Sequence, residues 1–185
     1  MASILPFDEL NAFAQNLPTH FEDGKIKSKE DEEDIIDELL DLFLLAYALG
    51  NSVTNDNLSS NYRPSVDEVM RVVDERVADK TWRERVEEYF SSGGTEADIV
   101  RIADTESHRI ANTAALTTAK EAGAKTKTWV TMMDDKVRDT HSPLEGVSAP
   151  INGEFITWDG DRAQAPGLFS MASNNVNCRC ELIFS

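Results

Sequence analysis

Cys178 and Cys180 are the only cysteines in this 185-residue chain, and one residue separates them in VNCRCELIFS. Upstream, in MMDDKVRDTHSPLEG, Asp134, Arg138 and His141 follow one another at four- and three-residue steps. Thiolate, imidazole and carboxylate together suit zinc. A metal reading therefore takes His141, Cys178 and Cys180, with an acid such as Asp134. A hydrolase reading takes a cysteine as nucleophile, His141 as its base and Asp134 to orient the imidazole. Three features weigh against one or other of these readings. A single C-x-C is not the paired C-x-x-C of a zinc module. Strand alternation puts both cysteines on one face with Leu182 and Phe184, which reads as core, where free cysteine commonly sits. A nucleophile is normally displayed on an exposed turn instead. A disulfide across one residue would be strained, and a cytoplasmic product stays reduced.

A non-catalytic reading accounts for the same residues. Glu106 lies in the apolar stripe of a helix, four residues from both Ile102 and Ile110. A carboxylate there is costly without a cation or hydrogen-bond donors. Arg138 can offer it a bidentate pair, Asp134 can cap a turn or orient His141, and Arg179 with Glu181 can join the network. The expectation is a structural polar cluster of Glu106, Asp134, Arg138, His141 and Arg179, with no catalytic residue, no cofactor and no metal.

The elements that must position these groups are helical first and β-rich afterwards. Ser28 and Asp31 open a helix that continues through KEDEEDIIDELLDLFLLAYALG, with acids in the first turns where the helix dipole favours them. Its stripe of Ile35, Ile36, Leu39, Leu40, Phe43 and Leu44 has helical spacing, and Gly50 reads as its end. NSVTNDNLSSNYRP then reads as a polar loop. Ser65 with Glu68, Thr81 with Glu84 and Thr95 with Asp98 mark three further helix starts. The last is a long helix reaching Gly123. KTKTWVTMM, GEFITW and CRCELIF read as three short strands among turns rich in glycine and proline. The fold class is α+β: N-terminal helices and one long helix packed on a small, loop-rich antiparallel β C-terminal region. Residues 1–62 read as an acidic helical extension, 63–94 as a helical connector and 95–185 as the domain carrying the polar cluster.

The net charge of −16 and pI near 4.5 argue against tight binding to nucleic acid or anionic membranes. MASILPFDELNAF lacks a basic stretch followed by an apolar one, so no secretory signal is expected. No P-loop is present, since GDRAQAPG lacks its lysine. His20 reads as a surface residue and His108 as part of an ordinary polar helix face. The stripe at Ile35, Leu39 and Phe43 reads either as internal packing or as a face that docks into a partner groove.

From about Ile99 onward, the order of signals resembles a known family. RIADTESHRIANTAA contains Thr105-Glu106 and Asn112, and Gly123 ends its helix. Trp129, the Asp134–Arg138–His141 string, Gly146, Phe155, Pro166 and Asn177-Cys178-Arg179-Cys180 follow. This resembles the C-terminal domain of the phage Mu F-like minor head protein, or head morphogenesis, family. The resemblance implies a structural protein of the virion, made in the host cytoplasm and present at low copy in the phage head. Its expected partners are the portal protein or the major capsid protein, near packaged DNA but without tight binding to it. Its expected work is capsid assembly, DNA packaging or DNA delivery, by binding and not by turnover. Some members carry the domain fused to a portal or a toxin, and no such unit is expected after Cys180. The alternative is a phage-derived metal-dependent hydrolase or effector using Asp134, His141, Cys178 and Cys180.

Overall fold

The computed structural model describes residues 6–77 and 79–185. Residues 1–5, the start of the segment in which no secretory signal is expected, lie outside the described residues, as does residue 78. Helix α1 (Phe7–Asn16) leads through a 3-10 turn to a hairpin of β1 (Phe21–Glu22) and β2 (Lys25–Ile26). Helices α2 (Lys29–Leu58), α3 (Val66–Val73), α4 (Trp82–Ser92) and α5 (Glu96–Glu121) follow. The rest contains β3 (Thr126–Val130), β4 (Ser148–Pro150), β5 (Phe155–Ile156), β6 (Arg162–Ala163), the short α6 (Ala172–Asn175) and β7 (Glu181–Phe184). This is the α+β arrangement anticipated. Among the described residues no helix is long and apolar enough to cross a membrane.

Local chemistry starts the helices where the sequence placed them. The Ser28 hydroxyl accepts from the Asp31 N–H at 3.1 Å. At α4, the Thr81 N–H donates to Glu84 at 2.7 Å and the Glu84 N–H returns to the Thr81 hydroxyl at 3.2 Å, a reciprocal capping box. At α5, the Thr95 N–H donates to Asp98 at 3.0 Å.

Helix α2 does not stop at Gly50. It continues to Leu58 and ends at Ser59, which takes the left-handed conformation with φ 51°. Gly50 serves another purpose: a Cβ there would stand 2.3 Å from the Ala111 carbonyl oxygen of α5. The glycine permits a close helix crossing, and Ala103, Ala111 and Ala114 supply small side chains within the same core. The expected polar loop is therefore partly helix. Its Asn51 side chain donates to the Thr118 hydroxyl of α5 at 2.8 Å, and Asn55 donates to the Tyr62 carbonyl at 2.9 Å.

Of the two readings of the stripe at Ile35, Leu39 and Phe43, internal packing holds and the docking face is corrected: all three are 0% exposed. The stripe is spent on the helical core, where the Phe43 ring meets Trp82 edge-on at 5.1 Å. His20 is likewise buried, its Nδ1 lying 3.0 Å from Asp31.

The helical core joins side chains from Phe13 to Ala114. A second core is built from Leu116, Trp129, Leu144, Phe155, Ala163, Ala165, Phe169, Cys178, Cys180 and Leu182. Helix α5 thus serves both, with its N-terminal part in one and its C-terminal part against the other. The β region is a three-stranded antiparallel sheet in the order β4-β3-β7 plus a separate β5-β6 hairpin. GEFITW therefore forms a hairpin strand and does not enter the sheet with β3 and β7.

Candidate functional site

The structure separates the residues read as one cluster: Glu106 and His141 each belong to a different buried polar assembly, and Asp134, Arg138 and Arg179 make their bonds elsewhere. The first is centred on Glu106, buried at 1% exposure on α5. One carboxylate oxygen accepts from Arg85 of α4 at 2.7 Å, and the other accepts from Nε of Arg109 at 2.7 Å. Arg109, itself 1% exposed, spends its remaining donors on the Val72 carbonyl (3.0 Å), the Val73 carbonyl (3.2 Å) and Glu75 (3.1 Å). The carbonyls belong to the last turn of α3, so this assembly ties α3, α4 and α5 together.

Glu106 does need a cation, but its partner is not Arg138. Arg138 donates to the Val176 carbonyl and so holds the turn that precedes the cysteines. The true partners are local and helical. Arg109 stands three residues after Glu106, on the neighbouring position of the same face. That spacing was available in the sequence. Arg85, 21 residues away, carried no comparable signal.

What fastens the β region onto α5 is mostly uncharged. The Asn112 side chain, fully buried, donates to the Cys180 carbonyl at 3.0 Å and back to the His108 carbonyl at 3.0 Å. The Asn177 N–H donates to the Thr105 hydroxyl at 3.1 Å. Gly167, with φ +87°, lets the chain approach α5 so closely that a Cβ would stand 2.9 Å from the Cα of Arg109. Further along, Lys120 and Lys127 both donate to Gln164, at 2.9 and 2.7 Å. Burial lowers the Lys127 ammonium to about 8.

The second assembly gathers His141, Cys178 and Cys180. His141 caps the 3-10 turn after β3, and the cysteines immediately precede β7. Nδ1 of His141 lies 3.6 Å from the sulfur of Cys178 and 3.6 Å from that of Cys180. The three ligand-type atoms all fall within 4.8 Å of one another. All three residues are buried, with the imidazole between Trp129 and Phe169 at ring separations of 5.4 Å. The hydrogen bond from Cys180, countered by burial and helped by His141, holds the Cys178 thiol well below its ordinary value. The same bond, together with burial, pushes Cys180 up. A small cavity of about 10 Å³ opens beside His141 and Cys180, lined also by Arg138, Asn177 and Arg179.

Asp134 stands outside this group. Its carboxylate accepts from Arg179 at 2.8 Å and from the Lys136 N–H at 3.1 Å, on a part-exposed edge. The Arg179 hydrogen bond holds it below the usual carboxylate range. The pair clips the loop after β3 to the residues before β7. Asp134 is neither a ligand of the thiol–imidazole group nor hydrogen-bonded to His141. His108 is buried as well, its ring 3.6 Å from Asp104, too long for a hydrogen bond. Burial lowers it to about 4.

The chain matches the family described as phage Mu protein F like protein over residues 52–183. It is 40% identical over 91 residues to the NAD(+)–arginine ADP-ribosyltransferase EFV of Enterococcus faecalis, covering 45% of this chain and 18% of that protein. It is 33% identical over 85 residues to the minor head protein GP7 of Bacillus phage SPP1, covering 44% of this chain and 28% of that protein. The chain thus spans less than a third of either relative's length. No solved structure matches it. The family match runs from the second half of α2 through β7 and takes in both polar assemblies. This chain belongs to the phage Mu protein F like family.

Proposed function

We propose that the chain is a structural component of a phage head, acting in head morphogenesis by binding and not by turnover. The observation that carries this reading is the family match over residues 52–183, with a minor head protein among its relatives. Its place would be the virion, at the portal vertex or inner capsid surface, with the portal protein or the major capsid protein as partner. Assembly, packaging and delivery of DNA are the steps such a component could serve. Residues 95–185 would be the unit that carries the polar cluster, with 1–62 and 63–94 as helical layers packed on it, although the family match reaches back to residue 52.

The interior chemistry supports a non-catalytic role. Glu106 and Arg109 are consumed by each other and by helix ends. The Asp134, His141, Cys178 and Cys180 set required by a hydrolase is split, since Asp134 is engaged with Arg179. A cavity the size of a single water leaves no space for a substrate beside the thiols. The transferase named above is matched over 18% of its length, and its activity is that protein's own. A net charge of −16 suits a protein that sits near packaged DNA without adhering to it.

With the α2 stripe buried, most of the large apolar side chains exposed to a partner lie on the β region, Phe7 of α1 and Val66 of α3 being the exceptions. Trp158, 71% exposed next to β5, is the largest of them, and tryptophan is over-represented among residues that anchor interfaces. The test is co-expression with the portal protein encoded by the same phage genome, followed by size-exclusion chromatography. Comigration that weakens at least tenfold in Trp158→Ala, with an unchanged melting temperature, is the expected result. Failure to comigrate with either the portal or the capsid protein would overturn the proposal.

A further inference from the structure

The geometry points to a zinc site formed by Nδ1 of His141 and the sulfurs of Cys178 and Cys180, fastening the turn after β3 to the start of β7. The inference stands on these side chains alone and does not depend on a role in a phage head.

Both sulfurs lie 3.6 Å from the same nitrogen. An unprotonated imidazole nitrogen has one lone pair, directed in the ring plane, and accepts one S–H well. Two sulfurs placed symmetrically about it are poorly served by hydrogen bonding. They are well served by a cation at the centre. Zinc lies about 2.0–2.1 Å from imidazole nitrogen and about 2.3 Å from thiolate sulfur, so a tetrahedral ion sets nitrogen-to-sulfur edges of about 3.5–3.6 Å. Both observed nitrogen-to-sulfur edges have that length, and the two sulfurs lie within 4.8 Å of each other.

The donor set agrees with the metal. Two thiolates and an imidazole are borderline-soft ligands, which exclude magnesium and calcium and select zinc among the abundant divalent ions. Two thiolates on a divalent ion are electrically neutral, so the buried group carries no net charge. Arg138 and Arg179 line the adjoining cavity and favour the thiolate forms. His141 and Cys180 line that cavity, whose volume of about 10 Å³ is that of a single water, so a water could supply the fourth ligand. Ligation through Nδ1 leaves the hydrogen on Nε2, which is buried beside Trp129 and Phe169 with no hydrogen-bond partner among the described residues.

The fold also gives the ion something to do. The second core is small, and its strands are two to five residues long. Its ligands stand 37 and 39 residues apart, so one ion would close a long loop within a region of little regular structure. Uptake converts each thiol to thiolate and releases its proton, so affinity falls as pH is lowered.

The experiment uses the full chain. Protein purified without added chelator is measured for metal by mass spectrometry, then stripped and titrated with cobalt(II). The expected result is about one zinc per chain and, with cobalt, the intense visible bands of a tetrahedral ion plus thiolate-to-cobalt charge transfer, saturating at about one equivalent. Zinc should then displace the cobalt and slow labelling of the two thiols by a maleimide at least tenfold. In Cys178→Ser/Cys180→Ser the metal content should fall at least tenfold. If that variant does not fold, the cobalt spectrum and thiol protection of the unmodified chain decide the matter alone. Folded wild-type chain that takes up cobalt only with the weak spectrum of an octahedral ion, or a folded double variant that retains one zinc, would overturn the proposal.

Discussion

Replacing Glu106 by alanine is the perturbation that most sharply separates the local ionic assembly from a link to the β region. In the native chain this carboxylate, 1% exposed, accepts charge-assisted bonds from Arg85 and Arg109, both at 2.7 Å. Each such bond contributes about 1.5–3 kcal/mol. Arg85 is partly exposed and can turn toward water after the change. Arg109 cannot, although the Val72 and Val73 carbonyls and Glu75 still hold three of its contacts. Removal of one partner from a buried pair costs about 3–5 kcal/mol, because the other charge stays behind. Arg109's remaining acceptors place Glu106→Ala toward the lower part of that range, at about 3 kcal/mol. At roughly 2–4 °C per kcal/mol for a chain of this size, the melting temperature should fall by about 6–12 °C. Arg138→Ala removes a single bond to the Val176 carbonyl and should cost about 1–2 kcal/mol. Urea unfolding of the two variants beside the wild type measures both. A cost below about 1 kcal/mol for Glu106→Ala, or an equal cost for Arg138→Ala, would refute the reasoning.

Asn112→Ala should destabilise by about 1–3 kcal/mol by stranding the Cys180 carbonyl, with the loss visible in chemical denaturation. Gly50→Ala should cost at least about 1–3 kcal/mol, since its Cβ meets the Ala111 oxygen and forces α2 and α5 apart; a thermal melt reads it. His108 gives a pH prediction. Its folded value, near 4, lies below the unfolded one, so the unfolded chain binds the extra proton. The associated stability is present above about pH 6.5 and is lost as pH falls toward 4, by about 3 kcal/mol in all. Melting temperatures between pH 7 and 4 should show this slope, and His108→Phe should flatten it.

Much of the fold could be read from the sequence because its signals are local. The Thr81–Glu84 box involves residues three apart and formed as written. Gly50 was misread because a glycine that ends a helix and a glycine that admits a neighbouring backbone look alike until α5 is in place. Strand β4, Ser148–Pro150, has no β signal of its own and exists by pairing with β3 on the edge of the sheet, where proline is tolerated. The need of Glu106 for a cation was legible from its place in an apolar stripe. Of its partners, Arg109 was within reach of helical spacing but was passed over for Arg138, and Arg85 arrives only when α4 packs. The alternation in CRCELIF correctly put Cys178, Cys180 and Leu182 inside. Their meeting with His141 requires the chain to turn back over 37 residues, which spacing alone does not encode.

The central claim is that this chain belongs in a phage head as a binding component. Quantitative mass spectrometry of gradient-purified heads from the phage that encodes it tests this most directly. The account predicts the chain in intact heads, at a copy number far below that of the major capsid protein. Its absence from heads, with the protein found only in the lysate supernatant, would contradict the account.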